Sequence, residues 1–588
     1  MRRLAHISDR TAELVGLVGS VSLTAGLLIA HTTPATAYEL SIYASTPLTV
    51  WISIAVAFLA AAVIAFSTTS GLHRRFGLFL GGTASFSVIA LPVMRGYFYH
   101  GIHDSITHVG VTRAITDGSM MPYDTIYPGI HTVSAFISGV SGLSVWQATL
   151  LVPLGVALVF YLFVPLLVRA LVGGELALTV GAFTAFLLVP LHQLATTMHP
   201  HPSSQAILFV PTVLFLVIGY LRSPDRGWMG FSALSGIVLL TVVGVILYHP
   251  QQALNVILLF VAIGGVRLLT AASERTHRSL LPVTLVSIVA FGAWVGQSAA
   301  AFTVARGAVD SLVEYATGTG PQAGSAIGTQ SASLTAIGSS VVEIYLKLFL
   351  VSTLFIVAAG LLVVAVLLGR GSRSNDTDRQ VLYYAAGLVA MLPVFGVYFF
   401  GNVGQYYFRQ AGFMMLLVSV LGAVAITYGM VSVSETRFRP ALVPAVVSVL
   451  LVLFLLSSLI FFNSPYIHRA NQHVTDARVD GYETAFEMAG DSAIINGIVQ
   501  EPQRYYDGVV SLENNGLRDG TVNSTEIRNL RDRPADDWYL VVSQNTYERE
   551  LTAYREHRFT RSDFATLDRQ PAANQVFTNG DTQLYFVR

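Results

Sequence analysis

Apolar residues along this chain gather into long runs, not into the alternation of a sheet or the one-sided stripe of a surface helix. Thirteen runs stand at 11–30, 47–67, 76–94, 146–170, 175–192, 205–221, 229–247, 253–271, 280–301, 342–369, 381–400, 411–432 and 440–462. About 20 apolar residues carry a helix across the hydrocarbon core of a bilayer, so each run is read as a candidate span. Beyond residue 462 the pattern breaks into short mixed pieces. Residues 478–500 pattern as helix, Trp538–Ser543 as a buried strand and Gln583–Val587 as a final strand. The expected fold is an all-α polytopic membrane bundle of about thirteen helices over residues 1–462, followed by a small α/β or α+β domain over 463–588.

Composition narrows the classes. Of 588 residues 53% are hydrophobic and 12% charged, against about 25% charged in soluble domains. The absence of cysteine excludes disulfides, thiolate metal sites and cysteine nucleophiles. A net charge of zero gives no general pull toward nucleic acid. No phosphate-binding loop, dinucleotide fingerprint, nucleophile elbow or His-Glu-x-x-His pattern is present.

Charge then orients the chain. With the N-terminus in the cytoplasm, sixteen basic residues of the membrane part fall on the cytoplasmic side (Arg2, Arg3, Arg10, Arg74, Arg75, Arg169, Arg222, Arg226, Arg267, Arg275, Arg278, Arg370, Arg373, Arg379, Arg437, Arg439). Five fall on the other: Arg95, Arg113, Arg306, Lys347 and Arg409. That is the bias expected of a membrane protein, and it puts the tail outside the cell. Ala35-Thr36-Ala37 has the form of a cleavage site after span one, whereas Asp9 and Glu13 ahead of the run favour a retained span. The tail holds a sequon, Asn523-Ser524-Thr525. The histidines of the membrane part crowd the outer loops, where ionisable groups at membrane depth are functional candidates.

The outer loop 95–145 is the most informative. Residues 102–116 pattern as a helix stopped by Asp117-Gly118, with Asp104 and His108 four apart on one face. Tyr127-Pro128-Gly129-Ile130-His131 then opens a second helical run, 132–142. This order, an acid and a histidine on one short helix, then Tyr-Pro-Gly-x-His and a helix ending in Gly142-Leu143, resembles the first long outer loop of the GT-C superfamily. These are membrane glycosyltransferases that take sugars from polyprenyl (dolichyl) phosphates, with many archaeal and actinobacterial members. The resemblance covers residues 100–143 in detail and the whole chain in layout. It departs from the family in that the loop follows the third span here, where the family places it after the first.

The resemblance implies transfer of a sugar from a polyprenyl phosphate to a glycan or glycoprotein acceptor at the outer face of the cell membrane. Asp104 is then the expected base, and His108 would orient the acceptor, hydrogen-bond Asp104 or stack on the sugar. His131 and Tyr127 would line the same cavity. The leaving phosphate needs a cation, for which Arg409 is the first candidate and Arg95 the second; arginine suits bidentate phosphate contact. Arg113, nine residues beyond Asp104, points to the opposite helix face. His199 and His201 in Met198-His199-Pro200-His201-Pro202, and His249 in Tyr248-His249-Pro250-Gln251-Gln252, are further candidates for substrate contact. No Asp-x-Asp or Glu-x-Asp pair of the oligosaccharyltransferase kind stands in the outer loops. A divalent cation therefore has no clear motif, and His199-x-His201 is a weak one. Residues 302–340 form the other long outer loop, mostly Gly, Ala, Ser and Thr from Thr317 to Ser340, and read as a flexible connection, with a mobile loop that closes over substrate as the alternative. A transporter or flippase, or a polymerase or ligase, of lipid-linked saccharides is the competing expectation. No internal repeat of the transporter kind is found.

Overall fold

The computed structural model describes residues 7–223, 232–270, 279–319, 323–371, 375–401, 406–490, 494–512, 517–532 and 537–588. Arg2, Arg3, Arg226, Arg275, Arg278 and Arg373 of the charge count lie outside them. Each of the thirteen runs overlaps a helix among the described residues, though run 175–192 outlasts its helix, which ends at Phe186. Among the described residues, nine are long and apolar enough to cross a membrane by length and composition: Asp9–Thr32, Leu48–Ser67, Val145–Val172, Pro202–Arg222, Pro250–Leu269, Val341–Leu367, Asp376–Phe400, Tyr406–Ser434 and Arg439–Ser458. Gly71–Ile89, Gly174–Phe186, Ala233–Tyr248 and Leu281–Val295 are shorter or less apolar helices of the same bundle. Many start at a serine whose hydroxyl accepts a backbone N–H otherwise left without a partner: Ser70 from His73, Ser144 from Gln147, Ser340 from Glu343.

The two ends of the bundle differ in chemistry. At one, Arg74 and Arg169 pair with Glu175, and Arg222 pairs with Asp376 of Asp376-Thr377-Asp378. At the other lie the histidines of the cavity, the loop 95–145 and the tail, while His73 stays at the first end beside Asp9. The loop forms two short helices, Asp104–Thr116 and Pro128–Ser141. The second ends at Gly142 in the left-handed conformation and leaves Val133, Phe136 and Val140 exposed at three- and four-residue spacing, the apolar face of a helix lying along a membrane surface. Residues 302–340 differ from the expectation. They belong largely to two helices, Ala299–Thr317 and Ala323–Ala336. Alanine, the strongest helix former, outweighs the Gly and Ser content that reads as a linker.

The tail folds around a five-stranded mixed sheet. Its strands are β3 (Ile494–Gly497), β4 (Arg518–Thr521), β5 (Trp538–Ser543), β6 (Ala573–Thr578) and β7 (Thr582–Val587), in the order β4-β3-β5-β7-β6. β3 is parallel to β4 and β5; β7 is antiparallel to β5 and β6. The helix expected over 478–500 ends earlier, at Ala489, because Gly490 at φ +67° breaks it, and β3 follows. Two further strands tie tail to loop: β1 (Tyr99–His100) pairs antiparallel with β2 (His473–Val474). Asn471 N–H donates to the Leu40 carbonyl, and the Arg469 guanidinium donates to that of Gln193.

The closest contact between tail and loop is helix on helix. The tail helix Pro502–Val509 packs on Asp104–Thr116 where both carry glycine. A Cβ on Gly110 would lie 2.0 Å from the Asp507 carbonyl oxygen, and one on Gly508 2.7 Å from Ile106. The start of that tail helix is held by Glu501, which pairs with the fully buried Arg478 beside the stacked rings of Tyr482 and Tyr505. Burial alone would raise the Glu501 carboxyl; Arg478 and Arg549 outweigh it and hold it below the usual carboxylate range. Such a pair contributes modest net stability while intact but costs about 3–5 kcal/mol when one partner is removed. The interface predicts opposite effects of one substitution at two sites. Gly110→Ala should destabilise the purified protein by about 1–3 kcal/mol through overpacking. Gly139→Ala, facing open space inside the helix Pro128–Ser141, should be neutral or stabilising by about 0.5–1 kcal/mol. Thermal unfolding in detergent reads both.

Candidate active site between loop, spans and tail

The chain enters the first loop helix through His103 at φ +55°, a conformation that costs a non-glycine residue about 1–2 kcal/mol. The β1–β2 ladder fixes the approach. Tyr99 donates its hydroxyl proton to the Ser105 carbonyl at 2.9 Å, and the Ser105 hydroxyl donates to that of Pro200 at 3.1 Å. Asp104 thereby stands in the first helical turn, where the macrodipole favours a negative charge.

A cavity of about 140 Å³ opens beside it, lined by Asp104, Thr107, His108, Tyr127, His201, Pro202, Ser203, His249, Arg409 and Arg504. Six sequence candidates converge here: Asp104, His108, Tyr127, His201, His249 and Arg409. They come from the two loop helices and the ends of four bundle helices. His131 stands directly behind, its Nε2 3.0 Å from His108 Nδ1. His199 is buried beside Thr197 and does not line the cavity. Arg95 is placed elsewhere. It is buried, grips Glu39 through two bonds of 2.5 and 2.7 Å and donates to the Thr33 carbonyl. Its charge is already matched, so it has the geometry of a bundle strut. Arg113 faces the tail, near Glu483.

Three lining residues carried no signal in the sequence. Thr107 and Ser203 are ordinary helix residues there, and Arg504 belongs to a tail with thirteen basic side chains. Arg504 Nη2 lies 2.8 Å from Asp104 Oδ1. Its Nη1 donates to the Thr107 hydroxyl at 3.2 Å, which in turn donates to Asp507 at 2.8 Å. Both members of the Asp104–Arg504 pair are over a third exposed, so the pair is reachable from solvent and worth at most about 1 kcal/mol as a stabiliser.

Arg409, at the start of Tyr406–Ser434, lies over the Tyr406 ring, 5.0 Å from its centroid. Among the described residues no carboxylate pairs with it. What fixes its helix is a buried chain of amides. Gln410 donates to Asn255, Asn255 to Gln252 and Gln252 to the Ser203 hydroxyl, at 2.8, 3.1 and 2.8 Å. This chain joins the three helices that carry Ser203, His249's neighbours and Arg409. Each bond contributes about 1 kcal/mol net, but an orphaned buried partner costs more. Tyr127 stacks on His249 at 5.2 Å, nearly parallel. The cavity thus has one carboxylate against two guanidiniums, with neutral rings around them. Among the described residues no three His, Asp or Glu side chains converge as a metal-ligand set.

The rings are neutral because they are buried. Burial pushes His108 down to about 4, with Asp104 pulling weakly the other way, and lowers His131 well below its ordinary value. Burial also pushes His473 in β2 down to about 3. These rings stay uncharged in the fold but take protons in the unfolded chain below about pH 6.5. Their stabilising share is therefore intact above that pH and is lost as the pH falls toward 4. Thermal stability in detergent should be flat from pH 8 to 6.5 and fall from 6.5 to 4, and His108→Asn should flatten that fall.

No protein-family model matches the chain, and no curated protein matches it in sequence. Solved structures match in overall shape. ArnT from Cupriavidus metallidurans in the apo state is 12% identical, with 87% of this chain and 97% of that one covered, at a TM-score of 0.45. The oligosaccharyltransferase of Archaeoglobus fulgidus in complex with Zn and sulfate is 12% identical, with 86% and 72% covered, at 0.47. AglB from the same archaeon, in complex with an inhibitory peptide and a dolichol-phosphate, is 11% identical, with 82% and 71% covered, at 0.47. With these TM-scores below 0.5 the likeness settles nothing about chemistry, which rests on the residues of the cavity.

Proposed function

We propose that this chain is a membrane glycosyltransferase of GT-C type, moving a sugar from a polyprenyl phosphate to a glycan or glycoprotein acceptor. The observation that carries the reading is the charge balance of the cavity. Asp104 alone faces Arg409 and Arg504, so a net positive site sits at the end of an apolar bundle, beside a loop helix whose exposed face is apolar. That combination fits an anionic headgroup on a lipid chain.

In this reading Asp104 takes the proton of the acceptor hydroxyl as its oxygen bonds the anomeric carbon. The bond from that carbon to the phosphate oxygen breaks, and the lipid phosphate leaves with the electron pair. Arg409 and Arg504 offset the charge gathering on it, the service for which guanidinium forks suit phosphate. Arg504 leaves Asp104 for the phosphate when the donor arrives. Tyr127 and His249 form an aromatic wall for the sugar. Arg95 and His199 support the walls without touching substrate. The site opens outside the cytoplasm and the N-terminus lies inside, as the sixteen-to-five charge count supports.

A deletion strain carrying wild type, Asp104→Asn or Arg504→Gln at equal protein level tests the chemistry, with surface glycans and lipid-linked sugars read by mass spectrometry. Asp104→Asn should lower the product glycan about 10²-fold or more and Arg504→Gln about tenfold or more, with the lipid-phosphate sugar accumulating in both. A deletion that leaves both pools unchanged sinks the proposal. A deletion defect that Asp104→Asn fully rescues moves transport or polymerisation ahead of transfer. Because the chain has no cysteine, Ser562→Cys on the exposed tail surface reports sidedness without background. A membrane-impermeant maleimide should label it in intact cells; labelling only after lysis reverses the topology.

A further inference from the structure

The tail holds a second cavity, of about 270 Å³, that the transfer chemistry does not use. It lies in the tail domain, where β5 runs into the short helix Gln544–Glu548, and is walled on another side by β7. Among its lining side chains are Gln544, Tyr547, Asp568, Asp581, Gln583 and Tyr585. No lysine, arginine or histidine lines it. Asp568 accepts the Tyr585 hydroxyl proton at 2.7 Å on one oxygen. Asp581 accepts from the Thr475 hydroxyl on Oδ2, while its buried Oδ1 has no hydrogen-bond partner. A buried acceptor without a donor is costly to leave so, and here it belongs to a residue lining a polar cavity.

Chemistry selects the ligand class. Two carboxylates without a lining cation repel phosphates, uronates and other anions. The acceptors outnumber the donors, so a ligand rich in hydroxyl donors suits them. Tyr547 is half-exposed and set edge-to-face on Phe564 with centroids 5.0 Å apart, an aromatic surface for the C–H face of a sugar ring. The volume suits one pyranose unit. We infer that this cavity is a binding subsite for a neutral monosaccharide unit of the acceptor glycan, held by the tail while the acceptor end reaches the transfer site. The inference rests on the proposed glycosyltransferase reading, which makes a glycan the acceptor.

The test uses the full-length protein in detergent and the methyl α-glycosides of glucose, mannose and galactose as probes. Saturation-transfer NMR should show ring-proton signals with at least one of them. Tyr547→Ala and Gln583→Ala should each weaken binding about tenfold, as loss of an aromatic contact or a hydrogen bond of 1–1.5 kcal/mol would. Unchanged melting temperatures show that both variants still fold. Methyl glucuronide and glucose 1-phosphate should give no Tyr547-dependent signal. Asp104→Asn should bind the neutral glycoside as wild type does. The inference is overturned if no neutral glycoside signal depends on Tyr547 or Gln583, or if the anionic probes give an equal Tyr547-dependent signal. Loss of transfer in Asp104→Asn alongside no tail binding removes the subsite and leaves the transferase standing. Tail binding with no transfer defect in Asp104→Asn removes the transferase reading.

Discussion

The site depends on how closely two helices can approach. Gly110 on the loop helix and Gly508 on the tail helix let the Asp507 carbonyl and Ile106 sit where a side chain would otherwise stand. Only with that gap closed does Arg504 reach Asp104 and Thr107. Everything else at the junction serves the same approach. The buried Arg478–Glu501 pair fixes the start of the tail helix, and β1–β2 fixes the start of the loop helix. Glycine here is a steric requirement, since both helices would be intrinsically steadier with alanine.

The second organising element is polar chemistry forced into an apolar bundle. Ser203, Gln252, Asn255 and Gln410 form a continuous line of donors and acceptors between three helices. In a low-dielectric surrounding such a line is strong while complete and costly once broken. It gives the Arg409 helix a fixed rotation beside His201 and His249. Burial does the corresponding work for the histidines, keeping His108 and His131 uncharged at 3.0 Å from one another. Two protonated rings at that distance would repel.

Much of this was legible in the sequence, for identifiable reasons. Spans are read from long apolar runs, and among the described residues nine of the helices found there are long and apolar enough to cross a membrane. Asp104 and His108 announce themselves by helical spacing, Tyr127 and His131 by the Pro-Gly turn between them, His201 and His249 by the crowding of histidines in the outer loops, and Arg409 by the scarcity of outer arginines. Arg95 has the same scarcity, yet Glu39 neutralises it across a distance in sequence that no local pattern reveals. Arg504 escaped for the opposite reason. In a polar tail one arginine among many carries no signal, and its importance comes only from the docking of Pro502–Val509. The Ala-, Ser- and Gly-rich stretch 302–340 shows the limit of composition, because alanine there sustains two helices.

One consequence concerns the order in which the molecule comes into being. Asp104 leaves the ribosome before most of the bundle, whereas Arg504 follows it by 400 residues. The bundle can therefore be inserted in the membrane, with its loop helices exposed, while the cavity still lacks a wall. The cavity gains its complete charge arrangement only when the tail domain has folded and docked. A chain stalled or clipped before residue 504 would carry the acid and the lipid-facing surface but lack the second guanidinium. Docking of the tail is in this sense the event that arms the site.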